Sequence, residues 1–254
     1  MDLTISKLAV TLGKRQVLDQ VSAVLRPGRV TAILGANGSG KTTLVKALAG
    51  LLPGDVRLGD QRIDTLDPRE RARAIGYLPQ DGAVHWDVSV ESLVALGRLP
   101  HRAPFAGLSP QDYDAITTAL AATDTAELSG RLVAELSGGE RARVLLARVL
   151  AGQPLWLLAD EPLASLDPVH QLGLLDRLRV LAGEGLGVVI VLHDLIQAAR
   201  GADDVLLLKQ GRVVAFGPAE TALSPENLRE TFGVEVLQVR DEQGRMLPVP
   251  VGRT

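Results

Sequence analysis

The most constraining feature of this sequence is a glycine-rich segment, GANGSGKT, at residues 35–42. It follows the short apolar run VTAIL and precedes TTLVKALAG, in which apolar residues recur with helical spacing. A strand, a glycine loop and a helix in this order point backbone N–H groups and the positive end of the helix dipole at phosphate oxygens. The segment therefore predicts binding of a nucleoside triphosphate. A glycine-rich turn without a ligand is the alternative.

The same segment carries side chains that the phosphate chemistry needs. Lys41 is expected to neutralise the β- and γ-phosphate oxygens, and the Thr42 hydroxyl is placed to ligate Mg²⁺. The residues expected to contact the nucleotide are Gly35, Asn37, Gly38, Ser39, Gly40, Lys41, Thr42 and Thr43. The motif predicts a triphosphate ligand, but it does not indicate what its hydrolysis drives.

An apolar run, LWLLAD, ends in two neighbouring carboxylates, Asp160 and Glu161. Buried strands of parallel sheets have this apolar pattern, and ligands bind at the C-terminal ends of such strands. We therefore expect Asp160 to hold Mg²⁺, directly or through water. We expect Glu161 to orient and deprotonate an attacking water. In a chain without the phosphate loop, the same pair would more simply indicate a solvated loop.

A second glycine motif, LSGGE, opens an apolar-periodic segment at residues 136–140. Ser137 and Glu140 have the spacing of a capping box, which accounts for both of them as helix-start residues. The cap does not account for Gly138 and Gly139, because a glycine in a helix interior costs about 1 kcal/mol relative to alanine. The two glycines therefore indicate close approach by another group, and a phosphate is the natural candidate.

Between and around these motifs, strands alternate with helices, which predicts an α/β protein with a mostly parallel sheet. Antiparallel strands precede the phosphate loop, and a helical stretch separates it from LSGGE. We predict one main domain over residues 1–222, containing a helical subdomain at about 88–150. A short C-terminal extension over residues 223–254 is expected to hold one helix and a final hairpin.

Charge and composition argue against several classes of function. The formal net charge of −3 gives no overall electrostatic basis for binding nucleic acid, and the absence of cysteine excludes a disulfide framework. The longest apolar runs, such as residues 186–192, are far shorter than the ~20 residues of a spanning helix. The N-terminus also lacks the pattern of a signal peptide. We therefore expect a cytoplasmic chain that acts at a membrane only through a partner.

Taken together, the motifs resemble those of the ATP-binding cassette (ABC) ATPases. LSGGE resembles the signature motif of that family and stands shortly before the strand that ends in the acidic pair. Gln80 in YLPQ resembles the Q-loop glutamine, Ser165-Leu166-Asp167 resembles the D-loop, and His193 resembles the switch histidine. The resemblance spans about residues 2–220, with the motifs in the family's order. It implies a P-loop core, an N-terminal antiparallel β-subdomain and a helical subdomain.

The resemblance also implies how the two glycine motifs are used. In the family, two cassettes pair head-to-tail, and each ATP lies between the phosphate loop of one copy and the signature of the other. A homodimer is therefore implied, in which the γ-phosphate held by one copy is closed over by three residues of the other, Ser137, Gly138 and Gly139.

ATP and Mg²⁺ are the cofactors that the resemblance implies for this ATPase. The implied catalytic residues are Glu161, His193 and Gln80. The residues implied around the metal are Thr42, Gln80 and Asp160. Many members stack an aromatic ring on the adenine, whereas the corresponding position here is Leu12. A leucine can pack on the base but lacks the ring-stacking energy of about 0.5–1.5 kcal/mol.

Within the family, the segment from YLPQ to LVALGRLPH and the run ADEPLASLDPVHQ resemble ATPase subunits of bacterial importers for iron–siderophore complexes, haem and cobalamin. This implies polytopic permease partners, a substrate-binding protein in the same system, no nucleic acid, and a peripheral position at the cytoplasmic face of the inner membrane. Trp86 is a candidate contact with the permease, with core packing as the alternative. A soluble ABC ATPase of the iron–sulfur assembly type stays open as an alternative function.

Overall fold

The computed structural model describes residues 1–80, 87–164 and 166–253. The strands are β1 (Leu3–Leu12), β2 (Arg15–Leu25), β3 (Val30–Leu34), β4 (Val56–Leu58), β5 (Gln61–Arg62), β6 (Ile75–Leu78), β7 (Trp156–Ala159), β8 (Gly187–Val191), β9 (Asp204–Lys209), β10 (Arg212–Pro218), β11 (Val234–Arg240) and β12 (Met246–Arg253). The helices are α1 (Lys41–Leu48), α2 (Pro68–Ala74), α3 (Val90–Ala95), α4 (Pro110–Ala122), α5 (Gly138–Ala151), α6 (Pro168–Gly183), α7 (Leu195–Gly201), α8 (Ala219–Ala222) and α9 (Pro225–Phe232). Short 3₁₀ turns link several of them.

A six-stranded sheet carries the phosphate loop, and its strand order is β10-β9-β3-β8-β7-β6. Its strands are parallel except for β10, which forms an antiparallel hairpin with β9. β3, β7 and β8 are buried along their whole length. Strands that are covered on both faces are mostly apolar, as WLLA and GVVIV show, and VTAIL includes one polar residue, the buried Thr31.

The two faces of this sheet pack against different layers. Ala32, Leu157 and Ile190 face a large apolar cluster that they share with helices α3 to α7. Ile33 and Val189 point to the opposite face, where they pack with α1 and with a four-stranded antiparallel sheet of order β2-β1-β4-β5. The predicted parallel core and the predicted antiparallel N-terminal strands are both confirmed.

Strand direction fixes the position of the functional site. β3, β6, β7 and β8 are mutually parallel, so their C-terminal ends meet at one edge of the sheet. The phosphate loop follows β3 at this edge. Gln80, Glu161 and His193 each lie two residues beyond the end of β6, β7 and β8, respectively. Three residues that are distant in sequence are thereby brought to the edge that holds the phosphate loop.

A buried ion pair holds the helical segment between β6 and β7 together. The Arg98 Nε donates to Asp112 Oδ1 at 2.8 Å, and its Nη1 donates to the Ala151 carbonyl and to the side-chain oxygen of Gln153. Both charged residues are 5% exposed. The Arg98 guanidinium, with help from Ser109, holds the pKa of the Asp112 carboxyl well below its usual range. The pair therefore ties the start of α4 to the end of α5.

The C-terminal part forms a short helix, α9, followed by the β11–β12 hairpin, as the sequence predicted. In contrast, α2 was not predicted. None of its residues is buried, so its sequence PRERARA has no apolar periodicity to detect. None of the helices in the described ranges is long and apolar enough to cross a lipid bilayer.

We predict that Arg98→Met lowers the free energy of unfolding by about 3 kcal/mol or more, because the Asp112 carboxylate stays buried without its cation. Urea unfolding followed by circular dichroism measures the loss. Since the pKa of Asp112 is depressed in the folded protein, the difference from wild type should be present at neutral pH and shrink in acid.

The matched control is Arg62→Met, because Arg62 forms an exposed ion pair with Asp64 at 2.6 Å. Exposed pairs contribute about 1 kcal/mol or less. Equal losses of stability in the two variants would contradict the structural role given to Arg98.

Candidate functional site

The phosphate loop lies against a cavity of about 700 Å³ at the C-terminal edge of the central sheet. Two of its glycines are required by the backbone. A Cβ at Gly35 would lie 2.2 Å from the carbonyl oxygen of Leu208, and Gly40 has a φ of +106°. The tight path of the loop onto the start of α1 leaves no room for a side chain at Gly35 and needs a left-handed backbone at Gly40, so glycine is required at both positions. The strand–loop–helix arrangement predicted from the sequence is present.

Residues from separate parts of the chain line this cavity. The phosphate loop and α1 contribute Asn37, Gly38, Gly40, Lys41, Thr42 and Thr43. Three strand ends contribute Gln80, Glu161 and His193, and β2 contributes Arg15 and Val17. The structure therefore brings six of the eight residues predicted from the phosphate loop together with all three predicted catalytic residues, whereas Gly35 and Ser39 are not part of this wall.

Lys41 is held over the loop by backbone carbonyls. Its Nζ donates to Gly35 O at 2.9 Å and to Ala36 O at 3.3 Å. The residue is buried, and burial lowers the pKa of its ammonium, an effect that the carboxylates of Glu161 and Asp160 oppose. A buried cation in a loop of this shape is suited to a phosphate ligand.

Asp160 fits the role of a ligand for a small divalent cation. Its Oδ1 accepts a hydrogen bond from the Thr42 hydroxyl at 3.3 Å, whereas its Oδ2 is buried without a hydrogen-bond partner among the described residues. Burial raises the pKa of this carboxyl because it disfavours the charged form. A hard cation such as Mg²⁺ prefers oxygen ligands of this kind and would satisfy the orphaned oxygen.

Glu161 connects the other two predicted catalytic residues. Its Oε2 accepts from Gln80 Nε2 at 2.6 Å, and its Oε1 lies 2.5 Å from His193 Nε2. The backbone φ of Glu161 is +53°. A non-glycine residue in this left-handed region costs about 1–3 kcal/mol, and such strain concentrates at functional sites. The carboxylate is thus held at the cavity wall by contacts with two polar side chains.

The second glycine motif does not line the cavity of its own chain. Ser137 Oγ accepts from Glu140 N at 3.3 Å, and the Glu140 carboxylate accepts from Ser137 N at 2.8 Å, so the predicted capping box is confirmed. Ser137 and Gly138 are exposed. A Cβ at Gly139 would meet only Leu166 among the described atoms, at an ordinary 3.4 Å. Packing among the described residues therefore gives no reason for a glycine at position 139.

Two residues singled out in the sequence, Ser165 and Trp86, lie outside the described residues. Of the rest of the predicted D-loop, Leu166 is buried in the main apolar cluster. Asp167 caps α6 by accepting from His170 N at 3.0 Å. The segment that follows Glu161 therefore leads directly into a capped helix.

Arg15 is a residue of the cavity wall that sequence reasoning missed. It lies opposite Leu12 in the β1–β2 pair, so the two side chains are neighbours on one face of the hairpin. Leu12 is 47% exposed and is not among the lining residues, whereas the longer Arg15 side chain reaches the cavity. A basic residue just after the Gly13-Lys14 turn was the available signal. The contact between Leu12 and the base stays a prediction.

A family model described as "ABC transporter" matches residues 18–164, which is more than half of the chain. The chain belongs to the ABC transporter family. The predicted fold class is confirmed, and so is the assignment as the ATP-binding, ATP-hydrolysing component of such a transporter. The roles of individual site residues stay predictions.

Two similar proteins match almost the whole of this ABC chain. Hemin import ATP-binding protein HmuV of Bordetella avium (strain 197N) is 41% identical over 261 residues, covering 97% of this chain and 98% of the relative. HmuV of Pseudomonas fluorescens (strain Pf-5) is 44% identical over 254 residues, covering 96% of this chain and 98% of the relative.

Solved structures show the same fold. An inward-facing transporter assigned to the metal-chelate type of ABC transporter has a TM-score of 0.84 and 29% identity, covering 98% of this ABC chain and 97% of that chain. A bacterial ABC transporter cassette solved as a dimer has a TM-score of 0.74 and 25% identity, covering 86% of this chain and 99% of that chain.

We predict that Arg15→Ala weakens binding of an ATP analogue about tenfold, because it removes a cation that lines the cavity of an anionic ligand. Isothermal titration calorimetry with a non-hydrolysable analogue measures the change. Leu12→Ala serves as the comparison, and its loss of affinity should be smaller than that of Arg15→Ala, because Leu12 lies outside the cavity wall and would contribute at most apolar contact with the base. A larger loss in Leu12→Ala than in Arg15→Ala would place the base against Leu12.

Proposed function

We propose that this ABC chain is the ATP-hydrolysing subunit of a bacterial importer for haem. The observation that carries the proposal is the likeness to the two HmuV proteins, at 41% and 44% identity over almost the full length. The likeness to a metal-chelate type transporter supports the same class of cargo. The comparisons favour transport over the soluble iron–sulfur assembly alternative.

The proposed reaction begins with binding of the triphosphate. The loop N–H groups and Lys41 bind its phosphates, and Thr42, Asp160 and Gln80 would hold Mg²⁺. When bound, the metal ion would offset the negative charge of the phosphates. The orphaned Oδ2 of Asp160 supports this assignment.

Hydrolysis then depends on Glu161 and His193. Glu161 is placed to accept a proton from the water that attacks the γ-phosphorus, since its carboxylate lines the same cavity as Lys41. His193 is assigned a contact with the γ-phosphate, and its 2.5 Å approach to Glu161 keeps the two groups together. Gln80 orients the carboxylate from the other side.

A second copy of the chain completes the site in this proposal. The motif formed by Ser137, Gly138 and Gly139 stands at an exposed helix start and does not line the cavity of its own chain. In a head-to-tail homodimer, it closes over the γ-phosphate held by the other copy. The dimeric cassette among the similar solved structures supports this arrangement.

Polytopic permease subunits and a substrate-binding protein are the further partners that we propose. The chain would work as a peripheral protein at the cytoplasmic face of the membrane, without nucleic acid, in keeping with its net charge of −3. The helical subdomain at about residues 88–150 would dock on the permease, while residues 1–222 form the cassette and 223–254 a C-terminal extension.

We predict that Glu161→Gln binds ATP with near wild-type affinity but hydrolyses it at least ~100-fold more slowly, the low end for loss of a general base. ATP should also trap this variant as a dimer. Phosphate release and size-exclusion chromatography with ATP measure both effects. Glu127→Gln, at an exposed carboxylate after α4, is the control and should behave as wild type. Wild-type turnover in Glu161→Gln would reject the assigned role.

We predict that deleting this protein from its host abolishes growth on haem as the sole iron source but not on inorganic iron salts. Complementation with the wild-type chain should restore growth on haem, whereas complementation with Glu161→Gln should not. Unimpaired growth on haem with lost growth on a ferric siderophore would keep the transport assignment and reject haem as the cargo.

A further inference from the structure

Gln171, in the first turn of α6, holds the segment that follows the catalytic carboxylate. Its Nε2 donates to the carbonyl oxygen of Leu163 at 3.1 Å and to that of Leu166 at 3.0 Å. These carbonyls belong to the segment that connects Glu161 with α6. A single side-chain amide therefore fixes the path of the backbone just after the strained φ of Glu161.

A second glutamine fixes the first. Gln197, on α7, donates from its Nε2 to the Oε1 of Gln171 at 2.6 Å. The two bonds that Gln171 donates to carbonyls require its Oε1 to face Gln197, so the orientation of both amides is determined by the network. Both glutamines donate from the side-chain N–H groups of Nε2, which a carboxylate or an apolar side chain does not have.

The chain of hydrogen bonds leads back to the switch histidine. α7 starts directly after His193 and Asp194, and the Asp194 carboxylate accepts from Ile196 N at 2.7 Å and from Gln197 N at 2.9 Å. The position of Gln197 relative to His193 is thus set within one helical turn. His193 in turn contacts Glu161.

These contacts form a closed circuit around one small space. A cavity of about 240 Å³ lies beside the carboxylate, and Glu161, Gln171, His193 and Gln197 all contribute to its wall. One side of the circuit is the contact between Glu161 and His193. The other side runs from the Glu161 segment through the two glutamines to the start of α7.

We propose that Gln171 and Gln197 are positioning residues that keep the Glu161 carboxylate and the His193 imidazole in register for hydrolysis. A left-handed non-glycine residue keeps its conformation only when the surrounding structure imposes it, and this pair supplies polar anchors immediately downstream. The two glutamines lie outside the wall of the phosphate-loop cavity, so they affect the rate of the chemical step and not nucleotide affinity. The inference rests on the catalytic roles proposed above for Glu161 and His193.

The test uses the full-length variants Gln171→Met, Gln197→Met and the double variant. Methionine keeps the length of the side chain but removes the amide. We expect kcat at saturating MgATP to fall about tenfold in Gln171→Met, as for a modest misplacement of a catalytic group. KM and the Kd of a non-hydrolysable analogue should stay within about twofold of wild type. The double variant should lose no more than Gln171→Met, because Gln197 acts through Gln171.

A purely structural role would give a different pattern, which thermal unfolding of each variant detects. A fall in the unfolding temperature with unchanged kcat per folded protein would overturn the inference, and so would additive losses or a parallel loss of affinity. If Gln171→Met does not fold, Gln197→Met carries the test alone. Gln61→Met, at an exposed glutamine of β5, is the matched control and should match wild type.

Glu161→Gln in the same assay distinguishes a failure of the positioning inference from a failure of the proposed catalytic site. If Glu161→Gln is inactive and the glutamine variants turn over like wild type, only the positioning inference fails. If Glu161→Gln also turns over like wild type, the proposed catalytic site itself is wrong.

Discussion

Burial of the central strands on both faces is the constraint on which the rest of the molecule depends. β3, β7 and β8 have no exposed face, so a polar side chain on them, such as Thr31, loses its contact with water, and a charged group would carry a large desolvation cost. The chemistry is consequently confined to the first few residues after each strand. Because the strands are parallel, these residues meet at one edge of the sheet. The position of the site therefore follows from the burial and the direction of the strands.

Glu161 illustrates how tightly the strand ends are coupled once they are together. It touches Gln80 after β6 and His193 after β8, so one carboxylate spans three adjacent strands of the sheet. A shift of β7 would change both contacts, and a shift of β6 or β8 would change one of them. The rigidity of the apolar core is thus transferred to groups that lie at its boundary with solvent.

Some of this arrangement could be predicted from the sequence, because local rules determine it. The phosphate loop has fixed spacing, the acidic pair ends an apolar strand, and Ser137 and Glu140 have capping-box spacing. Arg15 could not be found in this way, since its place in the cavity depends on the register of a hairpin. The hydrogen bonds of Gln171 and Gln197 could not be predicted either. They join two helices to backbone carbonyls, and every residue has a carbonyl, so no residue type in the sequence indicates them.

The capping box at the start of α5 also explains why a serine stands there. Ser137 Oγ uses a lone pair to accept from Glu140 N, which leaves the hydroxyl proton available. In the proposed dimer, that proton can be donated to a phosphate oxygen of the other copy while the helix stays capped. An aspartate would cap the helix equally well, but its negative charge would repel the incoming phosphate. One hydroxyl can therefore cap the N-terminus of a helix and donate a hydrogen bond to a phosphate at the same time.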